Sequence, residues 1–349
     1  MSSISIIVPC RNERACISAF LDGILRQDLS GFEWEAIIAD GQSSDGTDAI
    51  IEQYCARDPH FRLIENPGRI VSTGLNLAIQ AARGEIILRM DVHTAYATDY
   101  VRQCVACLGQ TGADCAGGPW RARGEGYLSS AIASAFQSPF SAGGARSHNL
   151  SYEGLVDTVY LGCWRRSNLL SLGMFDEALA RNQDDELNLR IIRRGGKIWQ
   201  DPRIVSWYCP RASLRSLFRQ YHQYGFWKVA VIRKHHRPAS IRHLVPGSFV
   251  AVMCGLLFTA LLAQITGQAG VARIATVAWS ALAGLYAACL LFASLIVGSG
   301  TNWRFIPVLP LVFACFQVGY GSGFLRGVWH WRRQGNTARP ADSLTALTR

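Results

Sequence analysis

Three long apolar runs near the carboxyl terminus constrain this chain more than any other feature. They cover residues 244–265, 274–297 and 305–325, and none of them contains a charged side chain. Each run is close to the ~20 residues that a helix needs to cross a bilayer. One such run could be the core helix of a soluble protein, but three in succession favour membrane spans. We therefore predict a region of transmembrane helices at 244–330.

Basic residues stand on both sides of these runs. They are Arg233, Lys234, His235, His236, Arg237 and Arg242 before the first run, and Arg326, Arg332, Arg333 and Arg339 after the last. Because basic flanks prefer the cytoplasm, both ends should lie on the same side, which requires an even number of crossings. Three runs give an odd number. One of the runs would then be a re-entrant or interfacial segment. Pro307 and Pro310 point to the last run, but the sequence leaves this open.

Charge is divided unevenly along the chain. Residues 1–201 carry 24 acids and 19 bases, whereas residues 202–349 carry 1 acid and 16 bases. This division predicts a balanced soluble domain followed by a basic, membrane-embedded part. A nucleic-acid-binding protein could reach the same net charge of +10. However, most of the excess charge flanks apolar runs of bilayer length, so we expect membrane lipid and no nucleic acid as a partner.

The amino terminus lacks the features of a signal peptide. It has no basic segment, and its apolar run ends at Pro9. We expect the first domain to lie in the cytoplasm, and the protein to be a multi-pass protein of the inner (cytoplasmic) membrane. The cysteines Cys104, Cys107 and Cys115 have a faintly zinc-like spacing without a second pair, so we predict that they pack in the core.

Strand and helix patterns alternate over the first 200 residues. Short apolar runs at 5–8, 35–40, 61–65 and 84–91 are separated by segments with helical spacing at 14–26, 47–57 and 72–82. This order predicts a parallel sheet covered by helices, with ligands beyond the carboxyl ends of the strands. The predicted organisation is a domain at 1–210, an amphipathic interface linker at 211–243, transmembrane helices at 244–330 and a basic cytoplasmic tail at 331–349.

Acids follow two of the predicted strands. Asp40 opens a polar turn over 41–46 that lacks the lysine and glycine spacing of a phosphate-binding loop. Asp40 suits a ribose hydroxyl or a base N–H. The alternative for this turn is that Ser44 or Asp45 caps the helix that follows. Asp91 and His93 are two residues apart at a strand end, so their side chains point the same way and can share one divalent cation.

Three consecutive acids open a further predicted helix at 184–186. Acids in a first turn complement the helix dipole, which is an ordinary structural role. A carboxylate held near other acids can also act as a general base close to neutral pH. The sequence alone leaves both interpretations open.

The order and spacing of these motifs resemble the family 2 inverting glycosyltransferases, which have the GT-A fold. The matching segments are Pro9-Cys-Arg-Asn-Glu13, Ala39-Asp40 to Thr47, Gly84-Glu85 to His93, Gly173 to Glu177 and Gln183-Asp184 to Arg190. The resemblance covers roughly residues 4–235. Within the family, the chain is similar to membrane-attached bacterial exopolysaccharide glycosyltransferases of the succinoglycan biosynthesis type, which also carry a hydrophobic carboxyl-terminal region.

The resemblance implies an α/β fold, namely a GT-A (Rossmann-like) nucleotide-diphospho-sugar transferase domain followed by transmembrane helices. It also implies roles for single positions. Pro9, Arg11, Glu13, Asp40 and Asp91 would bind the donor; Asp91 and His93 would hold Mg²⁺ or Mn²⁺; Asp184 would be the catalytic base, with Glu186 as its acidic neighbour. His93 stands where the family has a second Asp. Gly41 likewise replaces an Asp found in many members.

Acceptor residues are expected around Gln220, Gln223 and Tyr224. This segment either cradles the acceptor or anchors the chain beside the bilayer. Gln223-Tyr224 stands where processive members of the family have Arg-Trp, which argues against a polymerising synthase. Trp164 is either a stacking platform for a sugar or an ordinary core residue.

The resemblance therefore implies a membrane-bound, metal-dependent glycosyltransferase. It would move a sugar, expected to be glucose, from a UDP-sugar to a polyprenyl diphosphate-linked saccharide in exopolysaccharide biosynthesis. The transfer would be a single inverting displacement. The alternatives are a processive polysaccharide synthase and a catalytically silent membrane scaffold of a polysaccharide complex.

Overall fold

The computed structural model describes residues 2–141 and 143–334, together with Leu344. Most of the predicted basic tail at 331–349 lies outside the described residues. The chain divides into two units. The sheet unit consists of Met1–Ala122 and Ala145–Cys209, and the helical unit consists of Arg123–Gly144 and Pro210–Arg349. Residues 123–144 therefore group with the helical unit, although they lie inside the predicted span 1–210.

Ten strands occur in the described part of the chain. They are β1 (Ser3–Cys10), β2 (Glu33–Asp40), β3 (Phe61–Glu65), β4 (Ile86–Arg89), β5 (Thr94–Tyr96), β6 (Cys115–Gly118), β7 (Gly154–Leu155), β8 (Tyr160–Arg165), β9 (Ile198–Gln200) and β10 (Ser206–Tyr208). Eight of these described strands form one mixed sheet in the order β3-β2-β1-β4-β8-β6-β9-β7. β1 to β4 run parallel, whereas β8 is antiparallel to both of its neighbours. β5 and β10 form a separate antiparallel ribbon.

Eleven α-helices occur in the same described residues. They are α1 (Ile17–Leu25), α2 (Thr47–Arg57), α3 (Val71–Ala81), α4 (Tyr100–Thr111), α5 (Gly126–Phe136), α6 (Arg166–Leu172), α7 (Gln183–Arg193), α8 (Leu214–His235), α9 (Val245–Ile265), α10 (Ala269–Gly300) and α11 (Leu309–Gln334). The alternation of strands and helices predicted over 5–91 is confirmed by β1 to β4 and α1 to α3.

Helices cover both faces of the sheet. Because side chains alternate across a strand, Ile6 and Val8 of β1 pack with α1, α2 and α4 on one face, whereas Ile7 packs with α3, α6 and α7 on the other. Both clusters consist of buried apolar residues. Because both faces of the strands are covered in this way, the strand sequences are continuous apolar runs. Cys104 and Cys107 lie in the first cluster and Cys115 in the second, all of them buried.

Two stretches of the helical unit are long and apolar enough to cross a membrane, among the residues that the structure describes. They are Ile241–Ile265, which contains α9, and Ala269–Gly300, which is α10; their mean hydropathies are 2.1 and 2.2. The third apolar run forms most of α11, which does not meet the same criterion. Leu309, Phe313 and Phe316 of α11 are buried.

Close packing of α11 on α8 depends on small residues. Three glycines spaced four residues apart meet backbone carbonyls of α8: Gly319, Gly323 and Gly327. A Cβ atom at Gly327 would lie 2.8 Å from the carbonyl oxygen of Phe226, and one at Gly323 would overlap the carbonyl of His222. The two helix backbones therefore approach each other more closely than side chains with a Cβ would permit.

The segment 123–144 is held by contacts within the helical unit. The hydroxyl of Tyr127 on α5 donates to the backbone carbonyl of Arg304 at 2.6 Å, and its ring packs edge-on against Phe305. The hydroxyl of Ser129 donates to the carbonyl of Pro210 at 3.3 Å. These contacts make α5 part of the helical unit, even though sheet strands precede and follow it in the chain.

Candidate active site

Polar residues gather at the carboxyl edge of the central strands. Cys10 is the register partner of Asp40 in the β1–β2 pair, and Ile7 is the partner of Arg89 in the β1–β4 pair. The chain segments that follow these three strands therefore leave the sheet side by side. In this way the structure brings the predicted donor residues and the predicted metal ligands to one rim.

Asp40 is buried and joins two loops of this rim. Its carboxylate accepts hydrogen bonds from the Ser43 backbone N–H at 2.9 Å and from the Ser43 hydroxyl at 2.5 Å. The hydroxyl oxygen of Ser43 in turn accepts from the backbone N–H of Asn12 at 2.8 Å. At the start of α2, Asp45 rather than Asp40 accepts from the Thr47 backbone N–H. Asp40 thus fixes the shape of the rim and does not cap the helix.

Arg11 and Glu13 follow β1 on the same rim, and Pro9 lies within the strand itself. A Cβ atom at Gly41 would lie 3.2 Å from the Arg11 side chain, so glycine at this position leaves room for Arg11. Glu13 is buried, and its Oε1 lies 3.4 Å from Nδ1 of His93. This contact joins the loop after β1 to the residues that follow β4.

Arg89, the last residue of β4, contacts two carboxylates. Its Nε and Nη2 donate to the two oxygens of Asp91 at 2.8 and 3.0 Å, and its Nη1 donates to Oδ1 of Asp184 at 2.5 Å. Only 6% of the Arg89 side chain is exposed. Burial alone would lower the pKa of Arg89, but the charges of Asp184 and Asp91 raise it, so the guanidinium stays charged.

Sequence reasoning did not single out Arg89. The only available signal was an arginine inside a buried apolar strand, two residues before an acid. A buried charge needs a partner, so such an arginine indicates that carboxylates converge on it in the fold.

Asp184 lies in the first turn of α7, with 38% of its side chain exposed. Asn182 stands just before α7 and adopts the left-handed backbone conformation, with φ of 60°. This conformation turns the chain into the helix. Desolvation raises the pKa of Asp184 above its usual range, Arg89 opposes this increase, and Asp91 and Asp185 add to it. Asp184 is therefore a carboxylate with increased basicity that solvent or a ligand can reach.

Glu186 also lies in the first turn of α7 but occupies a different environment. Its side chain is fully buried, and Arg190 pairs with it at 2.7 Å. Arg190 also donates to the backbone carbonyls of Leu172 and Met174. These contacts hold α7 against the end of α6. Glu186 is not among the carboxylates that Arg89 contacts, which are Asp91 and Asp184.

The predicted acceptor residues divide between the two units. Trp164 is 2% exposed, and its ring packs edge-on against Phe175, so of its two interpretations the position fits a core residue. Gln220, Gln223 and Tyr224 lie on α8 of the helical unit. There, Gln220 Nε2 donates to the hydroxyl of Tyr224 at 3.1 Å.

The donor groups of Asp91 and His93 fit a divalent cation. Within the described residues, no three His, Cys, Asp or Glu side chains come together to hold a metal by themselves. Each oxygen of Asp91 accepts one hydrogen bond from Arg89 and retains a further lone pair. His93 has 43% of its side chain exposed. A carboxylate and an imidazole at an open rim suit Mn²⁺ or Mg²⁺.

The mixed sheet, with helices on both faces and acids after its central strands, has the architecture of the GT-A fold. The family described as Glycosyl transferase family 2 matches residues 5–167. This chain therefore contains a glycosyl transferase family 2 domain, which carries Asp40, Arg89 and Asp91. The GT-A fold followed by carboxyl-terminal helices, which the sequence predicts, is confirmed.

Two curated relatives match most of the chain. Succinoglycan biosynthesis protein ExoA of Rhizobium meliloti (strain 1021) is 27% identical over 337 residues, which is 95% of this chain and 97% of that protein. The dolichyl N-acetyl-alpha-D-glucosaminyl phosphate 3-beta-D-2,3-diacetamido-2,3-dideoxy-beta-D-glucuronosyltransferase of Methanococcus voltae is 26% identical over 277 residues, which is 75% of this chain and 83% of that protein.

Among solved structures, the mannosyltransferase PcManGT from Pyrobaculum calidifontis, in complex with GDP-Man and Mn²⁺, matches with a TM-score of 0.58. The match covers 94% of this chain and 87% of that one, at 17% sequence identity. At this identity the likeness concerns the fold.

Proposed function

We propose that this protein is a membrane-bound inverting glycosyltransferase, which moves a sugar from a UDP-sugar to a polyprenyl diphosphate-linked saccharide in exopolysaccharide biosynthesis. The observation that carries the proposal is the contact of one guanidinium, that of Arg89, with both Asp91 and Asp184. It joins the carboxylate expected at the donor diphosphate to the carboxylate expected at the acceptor. Glucose is the sugar expected from the resemblance to succinoglycan-type transferases.

Asp184 is the proposed general base. The acceptor hydroxyl attacks the anomeric carbon from the face opposite the diphosphate, and Asp184 takes the proton of that hydroxyl. The bond between the anomeric carbon and the diphosphate oxygen breaks, and UDP leaves with the electron pair. The raised pKa of Asp184 supports this role, because a more basic carboxylate is the better proton acceptor.

Donor binding is assigned to the rim formed by the strand ends. Asp40 is proposed to hold the uracil or the ribose, with Pro9, Arg11 and Glu13 around the nucleotide. Asp91 and His93 would hold Mg²⁺ or Mn²⁺, which supplies positive charge to the leaving diphosphate. Arg89 keeps the carboxylate of Asp91 oriented toward the rim.

Glu186 receives a positioning role in this proposal. Its buried ion pair with Arg190 holds the first turn of α7, and with it Asp184, in place. The proton transfer itself is left to Asp184, which solvent can reach.

A lipid-linked acceptor agrees with the helical unit. α9 and α10 have the length and hydropathy of membrane spans, and basic residues precede α9, where they would meet lipid phosphates. The names of the two relatives refer to succinoglycan biosynthesis and to a dolichyl phosphate-linked sugar. Gln220, Gln223 and Tyr224 are proposed to contact the acceptor at the cytoplasmic face of the inner membrane.

The decisive experiment compares Asp184→Asn with Asp185→Asn. Membranes containing each full-length variant are incubated with radiolabelled UDP-sugars and Mn²⁺, and labelled lipid is counted in the organic extract. We expect Asp184→Asn to lose about 10²- to 10⁴-fold of the transfer rate, the usual contribution of a general base. Asp185→Asn removes the same charge from the same turn of α7, and should retain most of the activity.

Calorimetric titration with UDP and Mn²⁺ separates chemistry from binding. Asp184→Asn should bind UDP as the wild type does, and binding should weaken when Mn²⁺ is omitted. Full transfer by Asp184→Asn would contradict the assignment of the base. UDP binding without transfer of any of the sugars by the wild type would instead favour the scaffold alternative.

A further inference from the structure

Four aromatic rings that the proposed reaction does not use form a group in the sheet unit. We name this group the aromatic shelf, and it consists of Trp120, His148, Tyr160 and Tyr208. The ring centroid of Trp120 lies 4.6 Å from that of Tyr160 and 6.1 Å from that of Tyr208. His148 lies nearly parallel to Trp120, with 6.0 Å between the centroids and 7° between the planes.

The aromatic shelf is fixed to the segment that carries the metal ligands. The hydroxyls of Tyr160 and Thr94 are 2.7 Å apart, and Thr94 follows His93 directly. Tyr208 is the register partner of Thr94 in the β5–β10 ribbon. A bridge between Ala122 and Tyr208 holds the chain after Trp120 against the same ribbon. These connections place the shelf beside the end of β4, where Asp91 is located.

A second connection joins the aromatic shelf to the helix of the proposed base. Asn188 of α7 donates to the hydroxyl of Thr158 at 2.9 Å, two residues before Tyr160. The shelf is therefore tied both to the Asp91 segment and to the helix that carries Asp184.

The order of strands decides which substrate the shelf faces. The proposed nucleotide residues follow β1 and β2, which lie on one side of β4. Trp120 follows β6 and Tyr160 begins β8, and both of these strands lie on the other side of β4. The sugar acceptor must approach the anomeric carbon from the side opposite the diphosphate, and the shelf lies on the far side of β4 from the proposed nucleotide residues.

Burial of the rings fits a binding surface. Tyr160 is 7% exposed and forms the floor, whereas Trp120, His148 and Tyr208 are half-buried. Aromatic rings present flat apolar faces, and sugar sites combine such faces with a few polar groups. Trp164, the platform considered from the sequence, has no such exposure.

We propose that the aromatic shelf binds the terminal pyranose ring of the acceptor saccharide, with Trp120 as the residue that determines acceptor specificity. The C–H face of the pyranose lies against the Trp120 ring, and its hydroxyls remain at the open edge toward Asp184. This inference rests on the proposed glycosyltransferase function and adds the location of the acceptor sugar.

The test uses Trp120→Ala and a matched control, Trp34→Ala. Trp34 is also half-buried and stacks on a histidine, His60, with 4.3 Å between the centroids and 7° between the planes. It lies at the amino end of β2, the end of the strand opposite Asp40. Trp120→Phe retains an aromatic face and serves as the conservative variant.

Saturation-transfer NMR is recorded on the detergent-solubilised full chain with UDP and Mn²⁺. The probes are the methyl β-glycosides of glucose, galactose, mannose and N-acetylglucosamine. We expect at least one glycoside to receive saturation from the wild type and from Trp34→Ala, with binding at least about tenfold weaker in Trp120→Ala. Trp120→Phe should retain part of the glycoside binding that Trp120→Ala loses. Equal binding by Trp120→Ala, or binding of none of the four glycosides by the wild type, would overturn the proposal.

A second measurement distinguishes the acceptor sugar from the donor sugar. Hydrolysis of the UDP-sugar in the absence of acceptor should be unchanged in Trp120→Ala, and so should calorimetric UDP binding. A loss of hydrolysis with retained glycoside binding would show that the ring contacts the donor sugar, which contradicts the acceptor assignment. Failure of the proposed function itself would show up differently, as wild-type protein without transfer.

Discussion

Single residues differ in how much of their role the sequence discloses. Asp40, Asp91 and Asp184 were found because each stands where a regular element begins or ends, and chain order predicts that parallel strands end at one edge. Arg89 was not found, since its ion pair with Asp184 spans 95 residues and exists only because β4 and α7 meet in the fold. Trp164 and Trp120 could not be told apart from sequence, because the exposure of a ring depends on tertiary packing.

Arg89 should control the pH dependence of transfer. Asp184 must be unprotonated to accept a proton, so activity falls as the pH drops below its pKa. Because that pKa is raised, the loss should begin at a higher pH than for an ordinary aspartate. The charge of Arg89 lowers the pKa of Asp184, so Arg89→Gln should move the acidic limb of the kcat/KM profile upward by about one pH unit or more.

Arg62→Gln is the control for this measurement. Arg62 also pairs with a carboxylate, that of Glu35, at 2.6 Å, but this pair lies near the amino ends of the strands. Its removal should leave the acidic limb in place. An unchanged limb in Arg89→Gln would contradict the assignment of Asp184 as the titrating base.

At the scale of elements, α11 combines an apolar sequence with close packing on another helix. The run at 305–325 contains no charged side chain, and Phe316, Gly319 and Gly323 in it pack on α8. Hydropathy reports that a face avoids water and does not report whether protein or lipid covers it. That this run is re-entrant or interfacial, as its two prolines and the parity of the basic flanks predict, stays a prediction.

Gly323→Leu should destabilise the helical unit. The new side chain would overlap the backbone carbonyl of His222, which cannot rotate away as a side chain can. Overpacking usually costs about 1–3 kcal/mol, and a clash with backbone should reach the upper end of that range. Thermal unfolding of the detergent-solubilised chain, followed by circular dichroism, should show a lower midpoint temperature.

Gly255→Leu provides the comparison on α9. A Cβ atom there would meet no other atom within 4 Å, so the substitution should be tolerated. Equal midpoint temperatures for both variants would mean that the α8–α11 contact contributes little to stability.

At the scale of the whole molecule, the chain passes between its two units three times, after residues 122, 144 and 209. The sequence predicted one passage, near residue 210, because α5 has the same apolar spacing as any helix that covers a sheet. Contacts with the helical unit, such as those of Tyr127 and Ser129, reveal where it belongs.

The full chain should behave as an integral membrane protein. Large side chains on α9 and α10 are open in the absence of lipid, including Phe258 at 66%, Ile265 at 83% and Phe292 at 61% exposure. Covering such side chains contributes about 1.5–3 kcal/mol each, and this contribution does not depend on ionic strength. Membranes are washed with about 1 M salt, which screens surface charges, and then with alkaline carbonate. The protein should remain in the membrane pellet after both washes. Release by salt alone would mean that only the basic residues hold it to the lipid.

The excursion of residues 123–144 has a practical consequence for anyone who wishes to shorten this protein. Truncation after Cys209 would keep α5 but remove every partner that the Tyr127 hydroxyl and the Ser129 hydroxyl have in the intact chain. The fragment would then carry an apolar helix without its packing partners, which would promote aggregation. A soluble catalytic fragment should instead omit 123–144 as well, with a short flexible bridge from Ala122 to Ala145.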